Sequence, residues 1–112
     1  MKSIVLGIGK AGITIVENLI KENHDVTVID VDAKKIENLL NKYDIQGAVG
    51  TGAEHDVMES CGVAETDFFI ACTSRDEFNI LVCILAKKLG AKNTIARVRD
   101  PRYFREIENL KK

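Results

Sequence analysis

The chain has 112 residues, and its 16 lysines and arginines against 17 aspartates and glutamates leave a formal net charge of −1. This length predicts one domain, covering residues 1–112, that buries roughly two thirds of the surface of the unfolded chain. The balanced charge argues against nucleic-acid binding, and no apolar stretch approaches the ~20 residues of a membrane span, so we expect a cytoplasmic globular domain without membrane insertion.

In chain order, short apolar runs alternate with longer amphipathic segments. The predicted strands are residues 3–6, 25–29, 45–49, 67–71 and 94–98, and the predicted helices are residues 11–22, 33–42, 54–61 and 75–89, with a last helix opening at Asp100-Pro101. Five such units with short connections predict a Rossmann-like, doubly wound parallel sheet of order 3-2-1-4-5 in a three-layer α/β/α arrangement.

The first strand is followed by the glycine pattern Gly7-Ile8-Gly9-Lys10-Ala11-Gly12. Between a strand and a helix, such glycines permit a tight turn, the approach of a diphosphate to the backbone, and close packing of the helix on the sheet. The helix N-terminus adds unpaired N–H groups and a partial positive charge. The pattern therefore predicts a dinucleotide site.

Asp30 ends the second strand, 18 residues after Gly12. A carboxylate there accepts hydrogen bonds from adenosine ribose hydroxyls and repels a 2′-phosphate, which favours NAD(H) or another unphosphorylated adenosine ligand over NADP(H). Asp32 has two interpretations, a ligand contact beside Val31 or, more simply, the N-cap of the next helix.

The loops after the third and fourth strands lie at the same edge of the sheet. Gly50-Thr51-Gly52 would let the backbone pass close to an adenine ring, and Thr73 and Ser74 would contact the second half of a dinucleotide. Arg75 would be free to reach a phosphate or a neighbouring subunit. A capping box explains either loop equally well, through Thr51 with Glu54 and through Ser74 with Glu77.

Two arginines close the fifth strand, Arg97 and Arg99. A buried guanidinium group needs an anionic partner, which a phosphate or Asp76 could supply. For Arg99 we expect exposure to solvent instead.

Catalytic machinery is not evident in the sequence. His24 is expected in a solvated turn at the opposite edge of the sheet, and His55 has no nucleophile partner. The three cysteines are expected to be small core residues, and no metal-ligand spacing occurs.

The helix over residues 75–89 contains seven consecutive apolar residues, Ile80 to Ala86, and the last helix carries the stripe Tyr103, Phe104, Ile107 and Leu110. The face turned away from the sheet would expose Leu81 and Leu85. These helices therefore predict self-association.

The whole chain resembles the N-terminal nucleotide-binding domain of Trk potassium-uptake regulators, the TrkA-N or regulator-of-potassium-conductance family. The glycine loop, Asp30 and Gly50-Thr51-Gly52 contribute to the resemblance, and its most specific carriers are Thr73-Ser74-Arg75-Asp76-Glu77-Phe78-Asn79 and Ile95-Ala96-Arg97-Val98-Arg99-Asp100-Pro101.

The resemblance implies that Gly7, Gly9 and Gly12 contact phosphates, Asp30 the adenosine ribose, and Thr51 the adenine. It also implies that Thr73 and Ser74 lie near the far end of the ligand, and Arg97 near the phosphates or a subunit interface. The family usually has Asp or Asn where this sequence has Thr51. The full set expected to bind nucleotide is Gly7, Ile8, Gly9, Lys10, Ala11, Gly12, Asp30, Val31, Asp32, Gly50, Thr51, Gly52, Thr73, Ser74, Arg75 and Arg97.

The resemblance further implies a cytoplasmic, non-enzymatic regulatory domain that binds NAD(H), or ATP, ADP or AMP. Such domains form homodimers or larger rings beneath a membrane potassium transporter or channel, at the inner face of the plasma membrane, and gate it. Full regulators continue into a further domain. We therefore expect this chain to be cut from a longer regulator or to lack such a regulator's C-terminal domain. An alternative is the cofactor-binding half of an NAD-dependent oxidoreductase, and a weaker one is a receiver-like flavodoxin fold.

Overall fold

A computed structural model describes residues 1–103 and residue 105 of the chain. The strands are β1 (Lys2–Leu6), β2 (Asp25–Asp30), β3 (Gln46–Val49), β4 (Phe68–Ala71) and β5 (Asn93–Ala96), and the helices are α1 (Lys10–Lys21), α2 (Ala33–Lys42), α3 (His55–Ser60) and α4 (Asp76–Lys88). A single 3₁₀ turn, Val63–Glu65, precedes β4 and was not predicted.

All strand pairs are parallel, and the sheet order β3-β2-β1-β4-β5 confirms the predicted topology. The order in which successive strands are added reverses between β1 and β4. Consecutive residues of β1 point to opposite faces, so Ile4 and Leu6 pack with α3 and α4 while Val5 packs with α1 and α2. The result is the expected three-layer Rossmann-like fold.

The apolar faces of the helices form the two cores. Val16 of α1 and both Ile36 and Leu39 of α2 are buried on one side of the sheet, whereas Met58 of α3 and Val82 of α4 are buried on the other. Both α1 and α2 are amphipathic, which explains why their positions were predictable from periodicity alone.

The last strand is shorter at its carboxyl end than predicted. Pairing with β4 stops at Ala96, and the Arg97 N–H donates a final hydrogen bond of 2.9 Å to the Ala71 carbonyl. Because β4 ends at Ala71, the chain beyond it has no neighbouring strand on which to pair. Arg97 and Arg99 therefore follow β5 instead of lying within it.

Residues 101–103 are helical, and Asp100 caps them by accepting a 3.0 Å hydrogen bond from the Arg102 N–H, as predicted for an N-cap. The rest of the predicted last helix, including Phe104, Ile107 and Leu110, lies outside the described residues. Among the described residues, no helix is both long enough and apolar enough to cross a membrane.

Candidate nucleotide site

A cavity of about 410 Å³ opens at the carboxyl edge of the sheet, where the strand order reverses between β1 and β4. In doubly wound sheets this crevice is where ligands bind. The loops after all five strands contribute to its wall, which consists of Leu6, Gly7, Gly9, Asp30, Val31, Lys35, Gly50, Thr51, Cys72, Thr73, Ser74, Arg75, Phe78 and Arg97.

The glycine loop forms the floor of the cavity. Gly7 has φ +90°, and a Cβ atom placed there would lie 2.8 Å from the Thr73 backbone nitrogen. Both the backbone conformation and the lack of space therefore require glycine at this position. A Cβ atom at Gly12 would lie 1.9 Å from the Gly7 carbonyl oxygen. These two glycines therefore allow β1, α1 and the β4 loop to meet at one point.

Gly9 differs from the other two glycines of the loop. It is the N-cap residue of α1, and a Cβ atom there would meet no atom within 4 Å. The first N–H groups of α1 have no intrahelical acceptor and constitute a positive end beside this open space. An anionic group has both room and a favourable potential next to Gly9.

Asp30 joins the glycine loop to the end of β2. Its Oδ2 atom accepts a 2.9 Å hydrogen bond from the Ile8 N–H, and its Oδ1 atom accepts one of 2.9 Å from the Asp32 N–H. A carboxylate oxygen has two lone pairs, so each oxygen retains acceptor capacity toward the cavity. The carboxylate has a structural role that the sequence analysis did not predict.

Asp32 caps α2. Its carboxylate accepts hydrogen bonds from the N–H groups of Lys34 (3.0 Å) and Lys35 (3.4 Å), which is the simpler of its two interpretations. Asp32 does not line the cavity.

Five further residues of the predicted set lie outside the cavity wall. Ile8 is buried in the core on the α1 side, Gly12 is buried within α1 against the Gly7 carbonyl, and Gly52 packs on Leu6, while Lys10 and Ala11 belong to the first turn of α1. The glycine pattern is contiguous in sequence, but of its six residues only Gly7 and Gly9 line the cavity.

The loop after β3 is closed by the predicted pair of side chains. Glu54 Oε1 accepts hydrogen bonds from the Thr51 N–H (3.2 Å) and the Thr51 hydroxyl (3.0 Å), and Thr51 Oγ1 accepts one of 3.3 Å from the Ala53 N–H. The helix itself begins only at His55, so the pair orders the preceding loop and is not a capping box of α3.

The predicted capping box of Ser74 and Glu77 is wrong. The N-cap of α4 is Arg75, whose own N–H donates a 3.3 Å hydrogen bond to Thr73 Oγ1, and the Glu77 carboxylate accepts a bond of 3.0 Å from the Tyr103 hydroxyl instead. Tertiary contacts of the β4 loop therefore replace the local pairing that the spacing had suggested.

Asn79 holds the loop after β4 in place through hydrogen bonds to Thr73. It is fully buried in the first turns of α4, where its amide forms four hydrogen bonds, three to Thr73 and one to the Arg97 carbonyl. The sequence analysis had given it no role of its own.

The two arginines of the cavity wall differ in their surroundings. The Arg75 guanidinium lies over the Phe78 ring, 5.6 Å from its centroid. Arg97 is half-buried, and its guanidinium group makes no ion pair or side-chain hydrogen bond to another described residue. It contributes unbalanced positive charge to the wall opposite Asp30.

Arg99 is exposed as predicted, and its guanidinium group donates a 2.8 Å hydrogen bond to the Ser74 carbonyl. Asp76, the carboxylate suggested as a partner for these arginines, instead accepts a 2.9 Å bond from the Asp100 N–H through Oδ2. Asp76 Oδ1 is buried and has no partner among the described residues.

The histidines and cysteines lie apart from the cavity, except Cys72. His24 is half-buried, not solvated as predicted, and hydrogen-bonds through Nδ1 to the buried Ser3 hydroxyl at 2.8 Å. His55 is exposed beside Glu59. All three cysteines are buried, and burial raises the pKa of the Cys83 thiol to about 11.

Cys72 lines the cavity but is almost inaccessible to solvent. Burial raises its pKa, while the nearby Arg97 charge partly opposes that shift. Leu6, Lys35 and Phe78 also belong to the wall without having been predicted. Lys35 and Phe78 lie in the first turns of α2 and α4, and their helical spacing from Asp32 and Arg75 is the signal that could have indicated them.

The cavity, the glycine loop and the acid after β2 define a Rossmann-type domain whose crevice has the features of a nucleotide site. The model of the TrkA-N domain matches residues 3–112, and the chain belongs to this family.

Among curated proteins, the chain is 39% identical over 111 residues to the Trk system potassium uptake protein TrkA of Vibrio alginolyticus, covering 98% of this chain and 24% of that protein. It is 36% identical over 118 residues to a TrkA homolog of Pyrococcus abyssi, covering 100% of this chain and 51% of that protein. The chain thus spans between about a quarter and about half of the length of these relatives.

Two solved structures share the fold. One is the C-terminal domain of Kef from Shewanella denitrificans in its AMP-bound form, with a TM-score of 0.83, 19% identity, and coverage of 98% of this chain and 67% of that one. The other is the NAD(P)-binding domain of an exopolyphosphatase-related protein from Archaeoglobus fulgidus, with a TM-score of 0.82, 23% identity, and coverage of 96% and 80%.

Proposed function

We propose that this domain binds NAD(H), or a related adenine nucleotide such as ATP, ADP or AMP, in the crevice at the carboxyl edge of the sheet. The observation that carries the proposal is the combination of open space at Gly9, the positive end of α1, and the Asp30 carboxylate at one side of a cavity of about 410 Å³. Phosphates are favoured in the open space at Gly9 beside the positive end of α1, and ribose hydroxyls are favoured at the Asp30 carboxylate.

The charges of the wall suggest the direction in which the ligand lies. Asp30, the last residue of β2, and Val31 after it would frame an adenosine, with Gly50 and Thr51 of the β3 loop beside them. Arg97 lies beyond the glycine loop on the side of β4 and β5, where its uncompensated charge attracts phosphate. The carboxylate disfavours a 2′-phosphate, so NAD(H) should bind more tightly than NADP(H).

The proposed role is regulation of a membrane potassium transporter or channel. Relatives that are named as Trk potassium uptake proteins support this role, and the domain would act in the cytoplasm beneath the transporter. A nucleotide can shift the partner between two states only by binding the assembled states with different affinities.

Exposed apolar side chains on α4 support an assembly of several copies of the domain. Leu81 and Ile84 are 50% and 53% exposed on the outer face of α4, an uncommon position for two large apolar side chains on one helix. Leu85, which was expected to be exposed with Leu81, instead packs against the core. A homodimer or a larger ring would cover the exposed pair.

The proposed role does not include turnover. His24 is bonded to Ser3 at the far edge of the sheet, and His55 is exposed on α3, so neither histidine faces the cavity. Steady NADH absorbance on incubation with candidate acceptors is the expected result, and consumption of NADH would favour the alternative of an oxidoreductase half.

The test of nucleotide binding is calorimetric titration of the 112-residue chain with NADH, NADPH, ATP, ADP and AMP, combined with mass spectrometry of any ligand released from the purified protein. We expect saturable binding of at least one unphosphorylated-ribose ligand and weaker binding of NADPH. Absence of binding by all five compounds would contradict the proposal.

A further inference from the structure

Asn79 is a buried polar side chain that does not line the cavity. Its Oδ1 atom accepts hydrogen bonds from the Thr73 N–H (3.0 Å) and from the Thr73 hydroxyl (2.6 Å). Its Nδ2 group donates one bond to the Thr73 carbonyl (3.0 Å) and one to the Arg97 carbonyl (2.8 Å). The amide thus uses two acceptor and two donor positions at once.

Only a carboxamide fits this set of partners. The oxygen faces two donors and the nitrogen faces two acceptors, so a carboxylate would place an oxygen against two carbonyl oxygens, and an apolar side chain would leave buried polar groups unpaired. Because the Asn79 side chain is fully buried, the geometry of these bonds is strongly preferred over alternatives.

The amide bridges the two strand ends where sheet pairing has stopped. The last bond between the strands runs from the Arg97 N–H to the Ala71 carbonyl, and beyond it the β4 and β5 loops are joined by Asn79. Thr73 and Arg97, the two residues so joined, both line the cavity.

The bridge also bears on the glycine loop. The Thr73 backbone nitrogen that Asn79 holds is the atom that a Cβ atom at Gly7 would approach to 2.8 Å. A displacement of Thr73 by a few tenths of an ångström would therefore change the width of the crevice between the glycine loop and the β4 loop. The hydrogen bonds of the Asn79 amide go to Thr73 and Arg97, and none of them goes to Asp30 or Gly50 on the adenosine side.

We propose that Asn79 is a positioning residue that sets the far wall of the crevice and thereby determines how tightly the domain binds ligands extending past the first phosphate. This inference rests on the proposed nucleotide binding. It predicts a difference between two ligands: a dinucleotide reaches the wall built by Thr73 and Arg97, whereas AMP remains on the adenosine side of it.

The experiment compares NADH and AMP binding by calorimetry for the wild-type chain and for Asn79→Asp, which is nearly isosteric. We expect the Kd for NADH to rise about tenfold or more, as for the loss of a buried hydrogen-bond pair, and the Kd for AMP to change by less than about threefold.

Thr66→Val is the matched control. Thr66 is also fully buried and polar, but its hydroxyl bonds to the Lys2 and Phe68 carbonyls at the opposite edge of the sheet. Thermal melting should show that both variants are destabilised, while the ratio of the two Kd values should change only in the Asn79 variant. A general loss of stability would not change that ratio.

If Asn79→Asp does not fold, Asn79→Ser retains a hydroxyl that can pair with one of the partners, and the same comparison applies. Equal weakening of NADH and AMP, or unchanged NADH affinity in a folded variant, would overturn the inference while leaving nucleotide binding intact. If the wild-type chain binds neither NADH nor AMP, this inference is overturned; if it also binds none of the other three nucleotides, the proposed function is overturned with it.

Discussion

The carboxylate of Asp30 both accepts hydrogen bonds from the protein backbone and lines the cavity in which we propose that a nucleotide binds. It holds the Ile8 and Asp32 N–H groups at 2.9 Å each, and it lines the cavity. At the scale of single residues, a change at this position therefore acts on stability and on binding together, and a control is needed to separate the two effects.

Asp30→Ala should weaken every adenosine ligand by roughly 1–3 kcal/mol, because charged hydrogen bonds to the ribose are lost. Asp32→Ala is the control, since it removes the N-cap of α2, at a cost of about 1 kcal/mol of stability, and Asp32 itself does not line the cavity. Calorimetric NADH titration that gives equal affinities for the two variants would contradict the role of Asp30.

Gly9→Ala should fold normally but bind NADH at least about tenfold more weakly, because the methyl group enters open space that a phosphate would occupy. Gly12→Ala is the opposite case, since its methyl group would overlap the Gly7 carbonyl and lower the free energy of unfolding. Urea denaturation and NADH titration of both variants measure the two effects. A folded Gly9→Ala variant with unchanged NADH affinity would place the phosphates elsewhere.

At the scale of elements, α4 combines two faces with different roles. Its inner face carries Asn79, Val82 and Cys83 into the core, and its outer face exposes Leu81 and Ile84. Apolar composition on both faces made the helix easy to predict, but it did not indicate which residues would remain exposed.

Ile84→Glu should reduce self-association, because a charge on the exposed apolar pair cannot be buried in an interface without a partner. Analytical ultracentrifugation should show the wild-type chain as a dimer or larger species and the variant shifted toward monomer. Lys88→Glu, which also alters charge on the exposed surface of α4, serves as the control. A wild-type chain that sediments as a monomer would contradict the proposed assembly.

At the scale of the whole molecule, three buried thiols make the free energy of unfolding decrease as the pH becomes alkaline. Burial raises the pKa of Cys61, Cys72 and Cys83 above the ordinary value of 9.0, in the case of Cys83 to about 11. Because the folded state disfavours the thiolate, this contribution to stability is complete below pH 9 and is lost as the pH rises toward 11.

The free energy of unfolding should therefore fall by roughly 2–3 kcal/mol more in the wild-type chain than in Cys83→Ala between neutral pH and pH about 11. Urea denaturation at both pH values measures the difference, and the lower absolute stability of the alanine variant does not affect it. Parallel stability curves for the two proteins would show that the Cys83 thiol titrates normally.

The sequence by itself determined the strand order, the packing of the amphipathic helices α1 and α2 through one apolar face each, the glycine loop and the position of Asp30. These features depend on periodicity and on local backbone requirements, which lie within a few residues of chain. The tertiary structure alone decided that Asn79 bridges two loops and that Ile84 is exposed while Leu85 is packed. Each of those outcomes depends on which elements meet in space, and local sequence spacing carries no information about partners that are distant along the chain.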